Sequence, residues 1–281
     1  MVSTKYNIFV PTNVSMRKIL FTLFVISTYA STAQVDYSDS WEDFFSYNNV
    51  KDFIKVNELI YALTDNAVFT HNNSTQETQK LSSIQGLSGK TTTSIHYSPS
   101  TNRLVIGYEN GLIEVVDGDG NITISADIVN FNQSGPRRIN HIYEYQGTLY
   151  LSTDFAIVEY DIEALEFGDT FFIGVSSTDL QVNEITVFNG LIYAATNEGV
   201  FYADVTNPNL IDFNNWQAIV GGNNLFKKIV VFNDRLYTIL NTGLFEIVDT
   251  SGLSLRRDFF GTVNGLKASA IYLSVALNNS Y

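Results

Sequence analysis

Four stretches decide how this chain folds: NELIYALTDNAVFTH (57–71), GTLYLSTDFAIVEYD (147–161), GLIYAATNEGVFYAD (190–204) and DRLYTILNTGLFEIV (234–248). A fifth, NRLVIGYENGLIEVV (102–116), fits with valine in the tyrosine place. The anchors Tyr61, Val105, Tyr150, Tyr193 and Tyr237 follow one another at 44, 45, 43 and 44 residues. Self-similarity at a fixed period is the signature of a repeat architecture.

Each unit has one grammar. An apolar run ends in Val56, Tyr145, Phe188 or Phe232, five positions before its anchor, and a short turn with Asn-Glu, Gln-Gly, Asn-Gly or Asn-Asp follows. Such turns join antiparallel strands in hairpins. The second unit departs, with a longer Ser98-Pro99-Ser100 turn. Six residues past each anchor stands a small residue: Ala67, Gly111, Ala156, Gly199 or Gly243. Small side chains are expected where inner strands crowd towards an axis, or where a turn needs open backbone angles. A third strand and a weaker fourth complete the unit.

Four strands in about 44 residues is the length of one β-propeller blade. The fold class is therefore all-β, a propeller of four-stranded antiparallel blades. Five blades fall near 50–90, 91–135, 136–178, 179–224 and 225–266. No amphipathic helix appears after residue 33. Trp41–Tyr47 (WEDFFSY) precedes the first blade, either as an outer strand closing the ring or as a plain edge strand. Lys267–Leu273 opens a sixth unit whose anchor is expected near residue 281, so the sequence reads as part of a longer one.

Composition agrees. Hydrophobic residues reach 45%, aromatics 14% and charged residues only 16% of the 281. That supplies a large core, and the aromatic and β-branched bias favours strands. With no cysteine there are no disulfides, thiolate metal sites or thiol nucleophiles. Net charge is −13, and all 29 acidic residues lie after position 33. A surface so acidic repels nucleic acid, so no nucleic-acid partner is expected.

Residues 16–33 (MRKILFTLFVISTYASTA) read as a signal peptide. Arg17 and Lys18 precede the apolar run Ile19–Ile26, and Ser31 and Ala33 suit a cleavage site before Gln34. The run is too short to cross a bilayer, so no transmembrane segment is expected. Residues 1–15 read as an over-called start, and the propeller as 34–281.

Chemistry is sparse. His71, His96 and His141 fall in different units at different strand positions, so no metal pair emerges. Asp117-Gly-Asp119-Gly-Asn121 opens like a calcium loop, but Ile128 stands where the closing glutamate belongs, and a turn between third and fourth strands explains it better. There is no nucleophile elbow and no singled-out carboxylate pair. The expectation is no enzyme and no cofactor. One charge pattern has positional sense: Lys90, Arg137, Arg138, Lys227, Lys228 and Lys267 fall in or beside the links between successive blades, which share one face. They are candidate ligands for an anionic partner such as a sugar phosphate or acidic protein.

The repeat resembles the two-component-regulator propeller repeat: Gly86-Leu87-Ser88, Ile95, Leu104-Val105-Ile106-Gly107 and Gly111-Leu112 follow its order. More closely, the Ser46-Tyr47 lead-in, LSSIQGLSG (81–89), LVIGYENGLIEVVDGDGNI (104–122) and LYLSTDFAIVEYD (149–161) are similar to the first propeller of the PorZ family of the type IX secretion system. That resemblance implies a second propeller and a C-terminal β-sandwich signal domain in the full protein. It also implies a non-catalytic scaffold or carrier exported to the outer-membrane surface, with attachment-complex proteins including the sortase as partners. Delivery of anionic lipopolysaccharide to that sortase would follow, although the family ties lipopolysaccharide to the C-terminal domain and not to these basic links. The other reading the repeat implies is a periplasmic glycan-sensing propeller of a hybrid two-component regulator.

Overall fold

The computed structural model describes residues 49–278 except 133, 221–223 and 250–251. The expected signal peptide, the segment before it and the WEDFFSY stretch lie outside the described residues.

Blade 1 comprises β1 (Asp52–Val56), β2 (Leu59–Leu63), β3 (Val68–Asn72) and β4 (Thr78–Leu81). Blade 2 comprises β5 (Thr92–Ser98), β6 (Arg103–Tyr108), β7 (Ile113–Val116) and β8 (Ile122–Ser125), and one helical turn, α1 (Asp127–Asn130), follows it. Blade 3 holds β9 (Ile139–Tyr145), β10 (Thr148–Thr153), β11 (Ile157–Asp161) and β12 (Glu166–Phe171). Blade 4 holds β13 (Val182–Phe188), β14 (Leu191–Thr196), β15 (Val200–Asp204) and β16 (Gln217–Val220). Blade 5 holds β17 (Phe226–Phe232), β18 (Arg235–Leu240), β19 (Gly243–Asp249) and β20 (Gly252–Asp258). All five are antiparallel sheets in sequential strand order, and a pair of strands, β21 (Val263–Ala268) and β22 (Leu273–Leu277), comes last.

The repeat anchors occupy one register. Tyr61 faces Ile54, Val105 faces His96, Tyr150 faces Tyr143, Tyr193 faces Thr186 and Tyr237 faces Val230. One place further on, Ile142 faces Leu151, Ile185 faces Ala194 and Ile229 faces Thr238, and Leu266 facing Val275 continues the series. The sixth anchor is therefore Ser274, opposite Lys267, and not a residue near 281. The fifth unit is short, because β20 ends at Asp258 and β21 begins at Val263, inside the span expected for blade 5.

Apolar side chains gather between neighbouring sheets. Leu63 and Val68 of blade 1 pack with Ile95, Leu104 and Ile106 of blade 2. Val105 and Ile113 meet Ile142, Leu149 and Leu151 of blade 3. Tyr150 and Ile157 meet Val182, Ile185 and Ile192 of blade 4. Tyr193 and Val200 meet Phe226, Ile229 and Leu236 of blade 5, and Ile239 and Leu244 meet Val263 and Leu266. The alternation of strand side chains sends one set to each neighbouring blade, so both faces of an interior sheet are buried. Full burial of one such aliphatic side chain is worth about 1.5–3 kcal/mol.

Two polar devices recur. Where the second strand turns into the third, Thr64, Thr153 and Thr196 donate both backbone N–H and hydroxyl to the carbonyls of Ala67, Ala156 and Gly199. Three of the small residues six past an anchor, Ala67, Ala156 and Gly199, therefore belong to this turn, while Gly243 opens β19. Gly111 shows why size matters: its φ is +87°, and a Cβ would come within 2.5 Å of the Ile128 side chain. The second device joins blades. Side chains of Lys51, Thr93, Asn140 and Asn183 donate to the carbonyls of Thr92, Ile139, Val182 and Phe226, at 2.8, 2.6, 2.9 and 2.9 Å. Each acceptor opens the next blade's inner strand.

Candidate functional site

Antiparallel alternation places the starts of inner strands and the threonine turns at one end of the blades, and the β1–β2-type hairpins at the other. Lys90 is exposed in the link before β5. Arg137 and Arg138 lie in the link before β9, where the Arg137 guanidinium donates to the Phe131 carbonyl at 2.8 Å and the Arg138 carbonyl accepts from Asp154 N–H at 3.2 Å. Lys227 is the exposed second residue of β17. These four share one end.

Lys228 and Lys267 do not join them. Lys228 lies within β17 with its Nζ 3.6 Å from Glu184 Oε2. Lys267 stands at the hairpin end of β21, where it forms an ion pair with Asp52, donates to the Phe53 carbonyl at 2.6 Å and lies 4.9 Å above the Phe53 ring. Lys228 and Lys267 meet acids of neighbouring blades, so their charge is spent there, whereas Lys227 of the same strand β17 is exposed. Of the six expected basic residues, Lys90, Arg137, Arg138 and Lys227 lie at the end of the blades where the inner strands start.

The inner strands carry instead a cluster that the sequence did not single out. Glu184 on β13 is almost fully buried. Its Oε2 accepts the Ile229 N–H at 3.1 Å, and its Oε1 lies 3.5 Å from His141 Nε2 on β9. Ile185 N–H points at His141 Nδ1 at 3.4 Å, so Nε2 bears the proton and faces the carboxylate. One blade earlier, His96 Nε2 meets Glu144 Oε2 at 3.0 Å, while the Ser98 and Ser100 hydroxyls donate to Glu144 Oε1, both at 3.0 Å. Each histidine thus engages a glutamate of the following blade.

Burial holds His141 well below the ordinary histidine range, with the Lys228 charge adding to it. Burial also lowers His96, against the pull of Glu144. Burial raises the Glu184 carboxyl, with Lys228 opposing. The arrangement ties blades together and can take up a proton. Among the described residues no three His, Cys, Asp or Glu side chains gather as metal ligands. No helix of the described residues is long and apolar enough to cross a membrane.

Two motifs acquire physical roles. In Gly86-Leu87-Ser88, Leu87 is buried and the Ser88 N–H donates at 2.8 Å to the buried carboxylate of Glu114, which also accepts from the Tyr108 hydroxyl. In the Asp117–Asn121 turn, the Asp117 carboxylate accepts from Asp119 N–H, Asn121 N–H and the Asn121 side chain, each at 2.9 Å. Those bonds hold its carboxyl below the usual range, the Asn121 side chain contributing most.

The sequence matches the family described as "TSS9, PorZ, N-terminal beta-propeller domain" over residues 60–217. Among curated proteins none matches. Among solved structures, PorZ of Porphyromonas gingivalis, described as an essential bacterial surface component of the type IX secretion system, is similar at TM-score 0.66 and 18% identity, covering 76% of this chain. The extracellular domain of a protein from B. thetaiotaomicron described as a hybrid two-component system is similar at TM-score 0.62 and 14% identity, covering 81% of the chain and 32% of its own. The WD40 domain of Neurospora crassa Pan2 follows at TM-score 0.57 and 11% identity, covering 79% of the chain and 69% of its own. At these identities the likeness is one of fold. The chain spans 29% of the length of the PorZ structure.

Proposed function

The chain belongs to the family of PorZ N-terminal β-propeller domains, and from that premise we propose that it is the propeller module of an exported, non-catalytic scaffold or carrier of type IX secretion. In this reading it works at the outer-membrane surface in the attachment complex, and helps bring anionic lipopolysaccharide to the sortase that modifies secreted cargo. One observation carries the reading. The family match runs from β2 of blade 1 to β16 of blade 4, so it follows a particular succession of blades and not one repeat met by chance. A propeller serves such a role by presenting loops from a rigid frame.

The face that would meet an anionic partner is formed by Lys90, Arg137, Arg138 and Lys227, in a chain whose net charge is −13. Charge reversal there is expected to weaken capture of such a partner.

Deleting the coding sequence from the source bacterium tests the proposal. Cargo should appear in the medium without its lipopolysaccharide anchor, and a tagged copy should recover the sortase from outer membranes. Normal cargo attachment in the deletion strain, with lost transcriptional response to a glycan, would replace this reading with the hybrid-regulator one.

A further inference from the structure

Blade 2 breaks the repeat in its first hairpin. The hydrogen bonds of its Ser98-Pro99-Ser100 turn run to Glu144 of blade 3. On the opposite flank, between blades 1 and 2, lies a cleft of about 740 Å³. This volume is in the range of small-molecule sites.

Its anchor tyrosine stands more open than those of the two blades that follow blade 2. The anchor tyrosines of blades 3 and 4, Tyr150 and Tyr193, are each only 6% exposed. Tyr61, their counterpart in blade 1, is half-buried and lines the cleft together with Tyr97, the two rings stacked at 6.0 Å between centroids and 22° between planes. The Tyr97 hydroxyl donates to the Asn102 side chain, which fixes the ring. Gly118 makes room for that amide, since a Cβ there would stand 2.3 Å from Asn102 Nδ2. Asn57, Glu58 and Gln79 add polar groups to the lining.

Fixed aromatic rings take the C–H faces of a pyranose, while amides and a carboxylate pair with its hydroxyls as donors and acceptors. Charge selects further. The lining holds Glu58 and Asp117 against Lys80, within a chain of net charge −13, which disfavours an anionic ligand. We propose that the cleft between blades 1 and 2 binds a neutral oligosaccharide through Tyr61, Tyr97 and the amides around them. The cleft lies at the hairpin end of the blades, away from the basic links, and the site stands whether or not the secretion reading does.

Titration calorimetry of the purified mature protein tests it, with the hexasaccharides of the malto-, cello-, manno- and xylo- series as probes and a heparin hexasaccharide as the anionic comparison. At least one neutral probe should bind. Tyr61→Ala should weaken it by about tenfold or more, as loss of a central aromatic contact does. Tyr61→Phe, which keeps the ring, should weaken it far less, and exposed Gln79→Ala should lower affinity at unchanged melting temperature. Binding of no neutral probe, preference for the heparin fragment, or unchanged affinity in both Tyr61→Ala and Gln79→Ala would each overturn the proposal.

Discussion

Among single residues His141 has the clearest thermodynamic signature. It faces Glu184, and the charges of Lys228 and Lys267 and the ring of His96 also act on it. Burial, the largest influence, keeps it neutral in the folded state. An unfolded histidine takes up its proton near pH 6.5, so below that pH the unfolded chain binds more protons than the folded one. The stability contributed by a neutral His141 is present above about pH 6.5 and lost as pH falls towards the folded value. Glu184, whose carboxyl is raised by burial, runs the other way: its contribution is full below its unfolded value and is lost as pH rises through the folded one. The melting temperature should therefore fall between pH 7.5 and pH 5.5, and fall less in His141→Asn. Equal slopes in the two proteins would remove His141 from the account. Nothing local in the sequence marks this pairing, because His141 and Glu184 stand in different blades and meet only when consecutive inner strands are laid side by side.

At the scale of elements, strand ends were legible and strand-to-strand joints were not. The apolar runs ending at Val56, Tyr145, Phe188 and Phe232 are β1, β9, β13 and β17, since a hydrophobic run cut by a polar turn leaves little choice. The last pair departs from the repeat length, and the apolar series along its strands, Leu266 facing Val275, fixes its register. The joints depend on one side chain reaching one carbonyl. Asn183 reaches the Phe226 carbonyl at 2.9 Å and the Asn197 side chain at 3.1 Å. Asn183→Ala should cost about 1–2 kcal/mol, read as a lower urea midpoint at unchanged slope. An unaltered midpoint would show that solvent replaces the bond without loss.

For the whole molecule, the inner strands adjoin in the order β1, β5, β9, β13, β17 and β21, and Lys267 on the last reaches Asp52 and Phe53 on the first. Both partners are partly exposed, so the contact is worth ~1 kcal/mol or less. Its effect should be local. Lys267→Met should speed amide exchange in β1 and β21 by about fivefold or less, leaving β9 and β13 unchanged. Equal acceleration everywhere, or none, would mean that this contact does not hold the first and last inner strands together. The blade architecture was open to sequence reasoning because forty-odd residues recur five times. The placing of the basic residues was less open, because Lys227 and Lys228 are neighbours in one strand and look alike until the side that faces solvent is known.

The bond from one inner strand to the next has a consequence for how such chains diversify. Its acceptor is a main-chain carbonyl, which every amino acid supplies, and its donor is a single side chain, satisfied by lysine, threonine or asparagine at successive joints. A whole blade can then be exchanged or duplicated by recombination, provided that one position keeps a donor and both faces keep their apolar side chains.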